Sequence, residues 1–292
     1  MSMKSKMVRY WGLASAVLVL APITAVAATT GAQASSDAPP RYTTVSTNDI
    51  SLPNNDGTFG IATCPEGTVV LGGGAYIASS SVQTGINASF EYGQRAWEAV
   101  ANNFSGAATT FNVYAVCAKR PHGYEYLVSP LVSNPAGDQT SATLNCPGDD
   151  YVLGGGVFDE DPAFSVGLAS SYPNPGLDGW TAAVSNFSGT NSEFEVVAVC
   201  ASPSVGWMSR AYEEESPVTS DPAGTQVGLI EDCNKGQTVA LTGGIQSSNT
   251  TNLRIEMKTT QPFPASGAGW KAGENNDTGY GTTLTAYVLC GN

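Results

Sequence analysis

The chain has 292 residues, with 33 Gly, 17 Pro and only 13% charged residues, and 41% of it is apolar. That apolar share excludes a disordered composition. Twelve basic residues against 25 acidic ones leave a net charge of -13, which argues against nucleic acid or an anionic membrane surface as partner, and the single histidine, His122, excludes His-rich metal sites.

Residues 1–34 read as a signal peptide. Lys4, Lys6 and Arg9 form a positive start, an apolar run from Trp11 to Ala27 follows, and two small-x-small sites close it at Ala25-Val26-Ala27 and Ala32-Gln33-Ala34. The run is short and is broken by Ser15, Pro22 and Thr24, which favours cleavage over a membrane anchor. Nothing later is apolar for long enough to span, so the mature chain is expected to be secreted, extracellular and without membrane insertion. Residues 35–42 form an N-terminal tail.

Internal repetition organises the rest. In all three segments a Pro (Pro53, Pro135, Pro222) stands 11 residues before a first Cys (Cys64, Cys146, Cys233). A Gly-rich run follows, as Gly72-Gly73-Gly74, Gly154-Gly155-Gly156 and Thr242-Gly243-Gly244. A Trp (Trp97, Trp180, Trp270) stands 20 residues before a second Cys (Cys117, Cys200, Cys290), with an Asn (Asn103, Asn186, Asn276) six after the Trp. Three homologous units of about 85 residues follow from this, at 43–119, 124–202 and 207–292. The joints between them are too short to be free linkers, so the units are expected to pack together.

Within a unit the apolar residues alternate and turn clusters separate them, which is the strand pattern. Five or six strands per unit are expected. In the first unit five are placed, near Thr58 to Thr63, Thr68 to Ile77, Gly85 to Tyr92, Arg95 to Asn102 and Thr110 to Ala118. Phe111, Val113, Ala115 and Cys117 share one face of the last strand and Tyr114 and Val116 the other, so this strand is expected to be central. No segment of the mature chain keeps a helical period over three turns.

An exported chain with six cysteines is expected to pair them. Two schemes respect the repeat. One closes each unit on itself, Cys64 with Cys117, Cys146 with Cys200 and Cys233 with Cys290; the other staples neighbours, Cys117 to Cys146, Cys200 to Cys233 and Cys290 to Cys64. The first is preferred because it lets each unit oxidise as it emerges.

The triple glycines lack the Lys and Ser/Thr of a phosphate loop and sit in strand-like sequence, so close backbone approach is the preferred reading. Gly267, Gly269 and Gly273 mimic a dinucleotide fingerprint with the wrong spacing. Trp97, Trp180 and Trp270 are candidate sugar platforms, with Asn103, Asn186 and Asn276 beside them as candidate ligand contacts. Small residues alternate with each Trp, however, which favours core rings with the Asn residues as turn-formers. His122 lies in a turn-rich joint with no evident acid or nucleophile. The middle unit has no base, and its acids Asp149, Asp150, Asp159 and Asp161 flank the glycine strand, where hairpin ends could bring them together on Ca²⁺. A solvated acidic surface is the competing reading.

The pattern Cys-Pro-x-Gly, Gly-Gly-Gly, Trp and a closing Val-Cys-Ala resembles uncharacterised secreted three-repeat β proteins of soil bacteria. It also resembles the vitelline membrane outer layer family, which implies a three-sheet β-prism with internal pseudo-threefold symmetry and carries no site residue. The expectation is therefore an all-β, β-prism-like protein with pseudo-threefold arrangement and one disulfide per unit. As function a non-catalytic binding protein for a glycan or other cell-surface component is expected. A structural or adhesive extracellular scaffold is the alternative, and a carboxylate-pair hydrolase in the middle unit the third reading.

Overall fold

The computed structural model describes residues 39–159, 164–203, 211–234, 238–263 and 268–291. The expected signal peptide, most of the expected tail, Asp161 and Gly267 lie outside the described residues. Every described element is a strand, and no described helix is long and apolar enough to cross a membrane.

Each unit supplies seven strands. The first gives β1 (Thr43–Ser46), β2 (Ile50–Leu52), β3 (Asp56–Thr63), β4 (Val69–Ile77), β5 (Thr84–Tyr92), β6 (Ala96–Asn103) and β7 (Thr109–Ala118). The second gives β8 (Glu125–Val128), β9 (Val132–Asn134), β10 (Gln139–Asn145), β11 (Tyr151–Asp159), β12 (Val166–Pro173), β13 (Gly179–Asn186) and β14 (Ser192–Ala201). The third gives β15 (Ala211–Glu215), β16 (Thr219–Asp221), β17 (Gln226–Asp232), β18 (Val239–Ser247), β19 (Ile255–Phe263), β20 (Gly269–Asn276) and β21 (Thr282–Gly291). The five expected strands of the first unit are present within two residues at each end. The two short ones that open each unit, such as β1 and β2, go beyond the expected five or six. They are three to five residues long and half-exposed, too brief to show an alternation.

These strands form three seven-stranded sheets, and every sheet is shared by two units. Sheet I joins β1, β2, β7 and β4 of the first unit to β19, β20 and β17 of the third. Sheet II joins β3, β6 and β5 of the first to β11, β14, β8 and β9 of the second; sheet III joins β10, β13 and β12 of the second to β18, β21, β15 and β16 of the third. Each unit is thus a four-on-three sandwich whose halves belong to different sheets, and the three units close a ring about a pseudo-threefold axis. β7, β14 and β21 are central, as the two-sided apolar pattern requires. The seams are narrow: β4 meets β19 through Tyr76↔Thr259 and Ala75↔Thr260, β11 meets β5 through Val157↔Ser89, and β18 meets β12 through Ile245↔Ser171.

Glycine makes the seams possible. A Cβ on Gly73, Gly155 or Gly243 would enter the ring of Trp97, Trp180 or Trp270. One on Gly74, Gly156 or Gly244 would strike the carbonyl of Thr260, Ser89 or Ser171 in the neighbouring unit. Gly72 and Gly154 approach the backbones at Leu241 and Leu71. All three glycines of a run are therefore required by close approach, each to a different neighbour.

The disulfides are Cys64–Cys117, Cys146–Cys200 and Cys233–Cys290, closing loops of 53, 54 and 57 residues. In every case the first cysteine follows a strand of one sheet and the second lies within another sheet, so each bridge ties the two halves of its own sandwich. The scheme stapling neighbouring units is excluded.

Candidate functional site

The three tryptophans are core residues, each 1% exposed. Their indole N–H groups donate to Ser89 Oγ (2.8 Å), Ser171 Oγ (2.8 Å) and Thr260 Oγ1 (2.9 Å), which satisfies the one polar atom each ring buries. No ring face is open to a sugar, so the platform reading of Trp97, Trp180 and Trp270 is corrected. Asn103, Asn186 and Asn276 are fully buried too. Each Nδ2 donates to two carbonyls, those of Leu52 and Ala107, of Asn134 and Thr190, and of Asp221 and Tyr280. Each Oδ1 accepts the N–H two residues on, at Ser105, Ser188 or Thr278. They pin a turn to an edge strand and offer nothing to a ligand.

The expected meeting of acids does not occur among the described residues. Asp149 and Asp150 precede β11 and Asp159 ends it, so a nine-residue strand, roughly 25–30 Å of extended chain, holds them apart. No described group of three or more His, Cys, Asp or Glu could hold a metal. His122 is exposed in the turn between β7 and β8, where its carbonyl accepts Ser202 N–H at 3.1 Å.

What brings chemistry together is the divergence of equivalent positions. The first unit packs Leu52 against Ala101, and the second has Asn134 and Val184 there; the third has Asp221 and Glu274, both with no exposure. Thr225 Oγ1 donates to Asp221 Oδ1 at 2.8 Å, and Glu274 faces the second carboxyl across the sandwich with Ser247 beside it. Burial pushes both carboxyls towards the protonated form; the charge of Asp221 pushes Glu274 further the same way, while hydrogen bonds from Thr225 and Glu274 oppose the rise at Asp221, so Glu274 holds the proton the pair shares. Neighbouring positions made room: Ser247 stands for Ile77, and Leu284 for Phe111 and Phe194. Sequence reading missed this pair because it recurs in no other unit. Comparing the three aligned units position by position would have found it.

The outer faces differ as much. On sheet III, the face opposite Trp180 carries a shallow groove of about 140 Å³. Gln139, Ser141, Tyr172, Gln246, Asn249 and Thr250 line it, with Ser170, Ala183 and Ser247 at its floor. Tyr172 stacks on Tyr287 at 5.4 Å between ring centroids. Gln246 ties both rings in place, its Nε2 donating to Tyr172 Oη at 3.1 Å and its Oε1 accepting from Tyr287 Oη at 2.9 Å. On sheet II the equivalent face holds an apolar cluster, with Glu98 and Glu195 opposite its phenylalanines. Phe90 and Phe158 meet edge to face at 5.1 Å within a cluster that includes Ala88, Val100, Tyr126 and Val197. Exposed Phe59 and Val128 extend it towards both sheet edges.

Glu91 also lies at a unit boundary. It is 1% exposed, Tyr124 Oη donates to it at 2.9 Å, and burial raises its pKa to about 7 against the pull of Tyr124 and Arg120. Tyr124 also reaches the Val70 carbonyl at 2.7 Å, and Arg120 lies 4.6 Å over its ring. This is a joint between the first two units. Against known proteins, the chain matches no family model and has no significant sequence match among curated proteins.

Proposed function

We propose that the chain is a secreted, non-catalytic binding protein that recognises a glycan or another hydroxyl-rich cell-surface component through the sheet III groove. The carrying observation is its lining: three amide side chains, two exposed hydroxyls and a held tyrosine ring on one shallow surface. Amides offer a donor and an acceptor side by side, which suits the vicinal hydroxyls of a sugar, and an immobilised ring loses little entropy on contact. At about 140 Å³ the groove is smaller than an enclosed small-molecule pocket, so a ligand in it stays partly in solvent, as one residue of a longer glycan does. Three disulfides fit an oxidising, extracellular setting. The resemblance to secreted three-repeat proteins supports export and brings no activity with it.

The test is a glycan array with the mature protein, followed by titration of hits against Gln246→Ala and Tyr172→Phe. Loss of at least tenfold in Gln246→Ala with unchanged melting supports the groove. Retained binding in both variants removes it.

A scaffold role is the second reading, favoured by the apolar cluster on the outer face of sheet II. Phe59 is 57% exposed and Val128 37%. Sedimentation of the mature protein across concentrations, with Phe59→Asp as the comparison, reads this directly: self-assembly abolished by the variant supports it, and a monomer at all concentrations excludes it.

A further inference from the structure

At one level of the axis the equivalent positions of the three units are Gly85, Gly167 and Glu256, set by pairing with Asn102, Ser185 and Asn275 on the adjacent strands. A Cβ on either glycine would enter the Glu256 side chain. The third unit's glutamate therefore fills the hole the other two leave on the axis. Glu256 is 7% exposed, Asn102 1%, Asn87 3%, and Ser185 and Asn275 have no exposure.

Each amide nitrogen in this layer already donates. Asn102 Nδ2 donates to Glu256 Oε2 at 3.2 Å, Asn87 Nδ2 to the Val166 carbonyl, and Asn275 Nδ2 to the Thr84 carbonyl at 2.5 Å. Among the described residues no donor reaches the amide oxygens of Asn87, Asn102 and Asn275, and Ser185 Oγ has no partner either. What remains in the layer is three amide oxygens and one hydroxyl around one carboxylate. A water supplies two donors but leaves the carboxylate uncompensated. Arg254, whose charge acts on Glu256, is engaged with Asp277 at 3.6 Å.

We propose that this layer binds one hard cation on the pseudo-threefold axis, with the Glu256 carboxylate and the oxygens of Asn87, Asn102, Asn275 and Ser185 as its ligands. Carboxylate, amide carbonyl and hydroxyl are the donor set of hard cations. One carboxylate balances one charge, which selects sodium over calcium, since an unbalanced charge is costly in a buried layer. The sequence offers no hint of this site, because its ligands come from all three units and only one is acidic.

The test is thermal melting of chelator-treated mature protein at equal ionic strength in tetramethylammonium, sodium, potassium or calcium chloride. A saturable rise of about 2–4 °C specific to sodium is expected. It should vanish in Glu256→Gln and persist in Asp149→Asn/Asp150→Asn. A rise in calcium alone overturns the proposal, because one carboxylate does not balance a divalent charge in a buried layer. Equal melting in all four salts, or a rise that Glu256→Gln retains, overturns the proposal. Should that variant not fold, Ser185→Ala, which removes a ligand whose hydroxyl has no other partner, serves in its place, and a rise in it as large as the parent's overturns the proposal.

Discussion

Trp180 shows how one residue type serves the packing of three elements at once. Its ring lies on Gly155, its N–H is satisfied by Ser171, and the carbonyl of Ser171 abuts Gly244 of the next unit. Trp180→Ala leaves a cavity in a close-packed interior and should cost about 3–5 kcal/mol, measured by denaturant unfolding. Gly155→Ala should cost about 1–3 kcal/mol for the opposite reason, since its Cβ would overlap the indole and the ring cannot move without disturbing the seam. Neither variant should weaken ligand binding per folded molecule. A Trp180→Ala protein that melts like the parent but loses ligand would return the rings to the binding site.

At the scale of the element, the third unit carries a buried acid pair where the first has a hydrocarbon contact. Both carboxyls are protonation-favoured by burial. Such groups bind protons in the folded state that the unfolded chain has already released. Their contribution is therefore full below the unfolded carboxyl range, near pH 4, and is lost as pH rises towards the raised folded values. Glu91, shifted to about 7, adds to the same trend on the order of 3 kcal/mol between acid and neutral pH. The protein should therefore unfold more readily at alkaline pH, a trend unfolding titrations across pH will reveal. Replacing Asp221, Ser247, Glu274 and Leu284 by their first-unit counterparts Leu, Ile, Ala and Phe should stabilise the chain by about 1–4 kcal/mol and flatten its alkaline limb. An unchanged pH profile in that variant would show that the pair is not the source. The contrast also marks where sequence reading stops. The strands were legible because alternation and turn residues act locally, and the disulfides because a repeat reduces 15 connectivities to two. The sharing of sheets between units, the axial layer and the acid pair were not legible, because each depends on residues far apart in the chain and diverged from their counterparts.

For the molecule as a whole, the architecture is a ring closed by three narrow seams. Every sheet crosses a unit boundary, so no unit can complete its sheets alone, and the third must return to the first through β4 and β19. Disulfides do not close this ring, since each bridge lies within a unit; they contribute roughly 3–4.5 kcal/mol apiece by limiting the unfolded chain. Closure rests instead on glycines whose missing Cβ lets a neighbouring carbonyl approach. Gly156→Ala tests this, because its Cβ would meet the Ser89 carbonyl, which is backbone within a sheet and has no rotamer to yield. The seam between β11 and β5 should open while the second unit's sandwich and its disulfide remain. The parent should melt in one calorimetric transition, its van't Hoff and calorimetric enthalpies equal. Gly156→Ala should melt in two transitions or at a midpoint lower by several degrees, with faster hydrogen exchange along β5 and β11 before global unfolding. A parent that already melts in separate steps, or a variant that melts as the parent does, would mean that the units stand by themselves and the seams only decorate them.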